Sequence, residues 1–184
     1  MKIPVVGFDP SLRNWGVAEG TLDLTTGYLE GLHLSIIEPR DVKGRQVRQN
    51  STDLHIAMQL AEGALLAARK AKVIFVEVPV GSQSARAMAS YGICVGVLGA
   101  VQAEGIPLIE VTAFEVKKAF TGNKNATKDE MIAEAVKLYP AANFPTHGGR
   151  ITAKAEHVAD AIAAIHAGVL TPMFQNLLRL FAEV

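Results

Sequence analysis

The chain has 184 residues, 49% hydrophobic and 20% charged, with 18 Lys and Arg balancing 18 Asp and Glu. That length suits one domain spanning residues 1–184, and the composition excludes a disordered or low-complexity protein. A net charge of zero argues against a simple electrostatic nucleic-acid binder, and the apolar runs stop short of the roughly 18 residues a membrane span needs.

Met1-Lys2-Ile3-Pro4-Val5-Val6 enters a strand pattern with no small-residue cleavage site, so no signal peptide is expected. Ile3–Phe8 is an apolar, β-branched run ending at Asp9 and predicts a buried strand. Trp15–Leu22 and Tyr28–Glu38, joined through Thr25-Thr26-Gly27, predict two further strands in a β-meander. An amphipathic helix follows over Ser51–Ala71, with Leu54, Ala57, Met58, Ala61, Leu65 and Ala68 on its inner face. Val73–Val76, ending at Glu77, reads as a strand covered on both faces.

Ser84–Glu104 predicts a helix with small residues at Ala85, Ala89, Gly92, Gly96 and Gly99. Each glycine lowers helix stability by about 1 kcal/mol, so the row predicts close approach to the sheet or to a partner helix. Within it lies Cys94, the single cysteine, which excludes an intrachain disulfide framework and suits a reducing cytoplasm. Pro107–Val111 predicts a strand and Ala113–Phe120 a short helix. The T-x-x-E pair Thr127 and Glu130 starts another helix at Lys128, running to about Tyr139. Pro140–Thr152, with two prolines and Gly148-Gly149, predicts a mobile loop. An alanine-rich helix over Ala153–Ala167 and an amphipathic one from Pro172 through Phe174, Leu177, Leu178 and Phe181 close the chain. The class is α/β with a mixed sheet.

Charge is unevenly spread. Arg40, Lys43, Arg45 and Arg48 stand against Asp41 alone, and Lys117, Lys118, Lys124 and Lys128 share a stretch without an acid. Two such stretches on a neutral chain can follow a phosphate backbone, which makes Lys43, Arg45, Arg48, Lys117, Lys118 and Lys124 candidate DNA-binding residues.

Asp9, in Gly7-Phe8-Asp9-Pro10-Ser11, and Glu77, in Ile74-Phe75-Val76-Glu77-Val78-Pro79, each follow a hydrophobic strand. Burying a carboxylate there is costly without a charge partner. If the two strands are parallel neighbours, their C-terminal ends bring the acids together, in the crevice where open α/β sheets bind ligands. His157 and Asp160 fall three apart, on one face of the alanine-rich helix. Acids and an imidazole converging in a cleft call for a hard divalent cation, and Mg²⁺ typically pairs a few carboxylates with substrate phosphates. Two ions about 3.5–4 Å apart would activate a water and stabilise the leaving oxygen of a phosphodiester.

With these residues in this order the chain resembles the RuvC family of Holliday junction resolvases over nearly its whole length. Gly7-Phe8-Asp9-Pro10-Ser11-Leu12-Arg13-Asn14-Trp15-Gly16 is similar to that family's G-I-D-P-G-x-x-x-x-G, and Glu77 matches its second acid. Val116-Lys117-Lys118-Ala119-Phe120-Thr121-Gly122 with Ala126-Thr127-Lys128 resembles V-K-x-x-x-x-G…A-x-K. His157-Val158-Ala159-Asp160-Ala161-Ile162-Ala163 resembles D/H-x-A-D-A-x-A.

The resemblance implies an RNase H-like fold with a mixed five-stranded sheet flanked by helices. It implies a homodimeric crossover junction endodeoxyribonuclease that nicks two opposed strands of a four-way junction, leaving 5′-phosphate and 3′-hydroxyl ends. Carried over by motif, Asp9 would bridge two Mg²⁺ or Mn²⁺ ions and Glu77 would hold one. His157 with Asp160 would hold the other and orient the attacking water. Lys128 would stabilise the developing phosphorane charge, and Lys117 would contact the DNA backbone.

Two departures stand out. Ser11 replaces a glycine, and Val78-Pro79-Val80-Gly81 lacks the aromatic wedge that often follows the family's second acid. Ser11 is a small change that should still fit; the missing aromatic puts strict selection of four-way junctions in question, and the divergence suggests a phage source. Cleavage of other branched DNA, processing of structured RNA, and non-catalytic junction binding are the rival readings within this fold. An actin-like nucleotide-binding domain shares the Asp9-to-Gly16 turn but needs a second, related domain, for which 184 residues leave no room.

Overall fold

In the computed structural model β1 (Lys2–Asp9), β2 (Trp15–Asp23) and β3 (Leu29–Ile37) form an antiparallel meander. β4 (Val73–Glu77) pairs parallel with β1, and β5 (Leu108–Val111) parallel with β4. The strand order is β3-β2-β1-β4-β5, the mixed five-stranded sheet expected. The structure describes residues 1–41 and 48–182, with the backbone alone for 181–182. Lys43 and Arg45 lie outside the described residues.

Parallel neighbours need long crossovers. α1 (Gln49–Ala68) and α2 (Ala85–Gln102) supply them and cover one face of the sheet, packing on Val6, Phe8, Trp15, Val17, Ile74 and Val76. The other face, with Ile3, Val5, Ala18, Val73 and Phe75, packs against α5 (Ala155–Gly168). α3 (Ala113–Thr121), α4 (Lys128–Leu138) and α6 (Pro172–Ala182) complete that layer. α3 and α4 each begin with a full capping box, Thr112 with Glu115 and Thr127 with Glu130.

α5 is buried along nearly its whole length, because its side chains are small and the sheet offers glycines beneath it. A Cβ on Gly7 would stand 2.0 Å from the Ala161 carbonyl oxygen, and one on Gly16 would stand 2.0 Å from that of His157. Glycine at both positions lets the helix backbone lie directly on β1 and β2. The burial of α5 also explains its apolar sequence; among the described residues no single helix is long and apolar enough to cross a membrane.

Three expectations are corrected. The buried face of α1 is Ile56, Leu60, Ala64, Ala67 and Ala68, whereas Leu54 is 73% and Met58 53% exposed. With apolar residues around most of that helix, spacing alone does not pick the inner stripe. The small residues of α2 do not approach the sheet: a Cβ on Gly92, Gly96 or Gly99 would meet nothing within 4 Å. Finally, the loop expected over Pro140–Thr152 contains a hairpin of β6 (Thr146–His147) and β7 (Arg150–Ile151). Its turn residues, Gly148 and Gly149, have φ of 57° and 76°, the double positive φ of a two-residue hairpin turn.

Candidate active site

Asp9 and Glu77 leave the sheet side by side, since the β1–β4 register runs through Phe8 and Val76, one residue earlier on each strand. Strand alternation puts both on the face that α5 covers. There the first turns of α5 present His157 and Asp160, and the cleft between helix and strand ends is lined by all four residues, with Pro10, Pro79, Tyr91, Lys128 and Glu156. Its volume is about 290 Å³, room for ions and a phosphate group.

Within the cleft His157 Nδ1 lies 3.0 Å from Asp9 Oδ2. This contact, more than any other, raises the imidazole's pKa above its ordinary value, against the opposing effect of burial. Burial and the neighbouring Asp9 charge push Glu77 up to about 7, with Lys117 pulling the other way. Asp160 is likewise pushed up to about 7 by burial, then by Asp9, Glu77 and Glu156. Two carboxylates that resist ionisation for want of positive charge mark a functional site more often than a structural one.

Among the described residues no three His, Cys, Asp or Glu side chains close into metal-ligand geometry. Asp9 is tied to His157 instead. The donor set itself, three carboxylates and an imidazole facing one cleft, is the chemistry that suits Mg²⁺ or Mn²⁺, and their mutual repulsion is what a cation would relieve.

Lys128, the first residue of α4, reaches the cleft but pairs with Glu156 at 2.6 Å. Glu156 also stands 3.5 Å from His157 Nε2. Sequence reasoning missed Glu156, although its place four residues before Asp160 puts both on one helix face. Lys117 is half-buried and directed to the acidic side, where it acts on Glu77. Lys118 and Lys124 lie outside the cleft, with their amines 6.0 and 5.7 Å from the Phe114 ring centroid. Arg48 is exposed at the start of α1, and Asp41 in the same basic stretch pairs with Arg13. The structure therefore does not gather the expected basic residues into one patch: Lys117 and Lys128 act on the cleft, Lys118 and Lys124 meet at Phe114, and Arg48 stands apart from the cleft lining.

No protein-family model and no curated protein matches the sequence. Among solved structures the chain is similar to RuvC of Thermus thermophilus in complex with a Holliday junction substrate. That match has a TM-score of 0.64 and 18% identity, over 90% of this chain and 92% of that one. A second Thermus thermophilus RuvC structure matches with a TM-score of 0.59 and 17% identity, over 91% of this chain and 92% of the other. Neither match lends support to a phage source. The fold is thus the α/β, RNase H-like fold of the RuvC resolvases, as the sequence motifs implied.

Proposed function

We propose that this protein is a structure-selective DNA endonuclease that resolves four-way junctions by paired, metal-dependent nicks giving 5′-phosphate and 3′-hydroxyl ends. The observation that carries this reading is the meeting of Asp9, Glu77, His157 and Asp160 at one edge of a RuvC-like sheet. Asp9, Glu77, His157 and Asp160 would hold two Mg²⁺ or Mn²⁺ ions, whose chemistry when bound is Lewis acidity toward a scissile phosphate.

The chain's own residues do the rest. Asp9, between Glu77 and α5, serves both halves of the donor set. It also holds His157 through Nδ1, so that Nε2 remains turned toward the cleft to orient the attacking water. Lys128, once released by Glu156, stabilises the negative charge that builds on the phosphate, and its place at the first turn of α4 adds the favourable end of the helix dipole. Lys117 contacts the backbone beside Glu77.

Two cuts on opposed strands call for two sites. The exposed face of α2, with Met88, Gly92, Val95, Gly96 and Gly99, is a surface on which a second copy can approach closely. The turn after β4 favours a relaxed form of the activity: its tip, Val80, is 90% exposed and aliphatic, so cleavage of other branched DNA accompanies four-way junctions.

The test is a synthetic four-way junction incubated with the protein and Mg²⁺ or Mn²⁺. Paired nicks in the wild type and none with Asp9→Asn are expected, because the amide cannot replace the charge. Retained cleavage by that variant sinks the site. Tight junction binding without cleavage in either metal favours a non-catalytic binder, and faster cleavage of structured RNA favours an RNA-processing role. Light scattering should give a dimer mass; a monomer that still nicks in pairs contradicts the α2 interface.

A further inference from the structure

α3 begins two residues after Val111, the register partner of Glu77, and its first turn lines a groove with Ala167 and Leu170 at the C-terminal end of α5, separate from the lining of the acidic cleft. In that turn Phe114 is 50% exposed. The amines of Lys118 and Lys124 lie 6.0 and 5.7 Å from its ring centroid, and neither lysine has a carboxylate partner among the described residues. Glu115, the neighbouring acid, is turned back on the helix cap, accepting from the Thr112 backbone N–H and hydroxyl at 2.8 Å each. The ring is thus an exposed aromatic in a locally positive setting. It also walls a groove of about 530 Å³ with Lys118, Ala119, Ala167, Leu170 and the cap-bound Glu115, a size that holds a small planar group.

An aromatic face framed by unpaired lysines is how proteins hold unpaired nucleotides: the base stacks, and the cations follow its phosphates. A double helix needs only the lysines, because its bases are already stacked. An exposed lysine–ring contact is weak enough for a base to displace. We propose that Phe114 is a base-stacking platform for an unpaired nucleotide, on the same helix that carries Lys117, with Lys118 and Lys124 transferring from the ring to the flanking phosphates. The inference rests on the nuclease reading of the cleft, and it gives α3 two roles. Lys117 faces the carboxylates and Phe114 receives a base freed at the branch.

The experiment uses branched DNA with 2-aminopurine at unpaired positions near the branch point, titrated in chelator with the full chain. Wild type, Phe114→Ala, Phe114→Leu and Phe114→Trp are compared, their folding checked by thermal melting. Wild type and the Trp variant should quench the fluorescent base at one position. The Ala and Leu variants should not, and should bind branched DNA roughly 5- to 100-fold more weakly. Affinity for a fully paired duplex should stay within about twofold, since phosphate contacts there remain. Leu keeps the apolar bulk of the groove, so undiminished binding and quenching by that variant overturn the stacking role. Wild-type binding with no quenched position also overturns it while leaving the nuclease reading intact. No binding of branched DNA by the wild type overturns both.

Discussion

Helix α5 carries a histidine near each end, and the two sit in opposite surroundings. His157 faces the cleft, held by Asp9 at 3.0 Å with Glu156 and Asp160 nearby, and its pKa is raised. His166, in the last turn, packs between the rings of Phe120 and Tyr139 with its Nε2 2.7 Å from the Tyr139 hydroxyl. Burial pushes His166 down to about 4 and the Tyr139 phenol up to about 12, so a neutral imidazole and a neutral phenol share this hydrogen bond. One end of the helix gathers like charges that oppose one another. The other end is apolar with its polar groups paired. Function and stability are therefore concentrated at separate ends of one element, and substitutions can address them separately.

The largest effect is expected from Asp160→Asn. Losing a carboxylate from a site worth several kcal/mol of charge stabilisation should cut cleavage by more than about 100-fold, measured on a labelled junction. In chelator the same variant should melt at a higher temperature than wild type. A lower melting point would show that repulsion among the cleft carboxylates does not destabilise the metal-free fold.

The pH dependence sharpens the contrast. Glu77 and Asp160 rise to about 7 from ordinary values of 4.5 and 3.8, so the folded chain holds protons the unfolded chain has released. Metal-free stability at this end is therefore full at low pH and is lost as pH rises toward 7. His166 falls from 6.5 to about 4, so here the unfolded chain takes up the proton first. Stability at that end is lost as pH falls from 6.5 to 4, by about 3 kcal/mol. Between pH 7 and 4, urea unfolding of His166→Phe in chelator should show stability rising toward acid more steeply than in wild type, whereas in Asp160→Asn the rise should be flattened. Parallel profiles for the two variants would break the comparison.

Next come two glycines at the contact between α5 and the sheet, Gly16 on β2 and Gly168 at the end of the helix. Gly16→Ala drives a Cβ into the His157 carbonyl, and Gly168→Ala drives one to 2.1 Å from Phe75 Cδ1. Each should destabilise by about 1–3 kcal/mol. Only Gly16→Ala, which displaces His157, should also reduce cleavage more than fivefold at temperatures where both variants are folded. The smallest stability effect belongs to Lys128→Ala, because its ion pair with Glu156 is exposed on the lysine side. Melting should hardly change while turnover falls and junction affinity stays near wild type; an unchanged rate removes the catalytic role.

Much of this was legible in the residues. Continuous apolar, β-branched runs marked β1 and β4 and put Asp9 and Glu77 at their ends, and three-residue spacing placed His157 with Asp160. The capping box at Thr127 located Lys128 at a helix start. The inner face of α1 was not legible, because Leu54 and Met58 are as apolar as Ile56 and Leu60 and only contact with β-strand side chains distinguishes them. Glu156 went unseen although it shares the helix face of Asp160. The hairpin at Thr146–Ile151 was hidden because two-residue strands leave no periodic signal.

By itself, then, the sequence determined which segments become strands and helices and which acids end them, since those depend on residues a few positions apart. The tertiary structure alone decided that His157 grips Asp9, that Lys128 is held by Glu156, and that Phe114 stays exposed over the C-terminal end of α5. These contacts join positions up to 148 residues apart, and they arise from how closely α5 can settle on Gly7 and Gly16 once the sheet has formed.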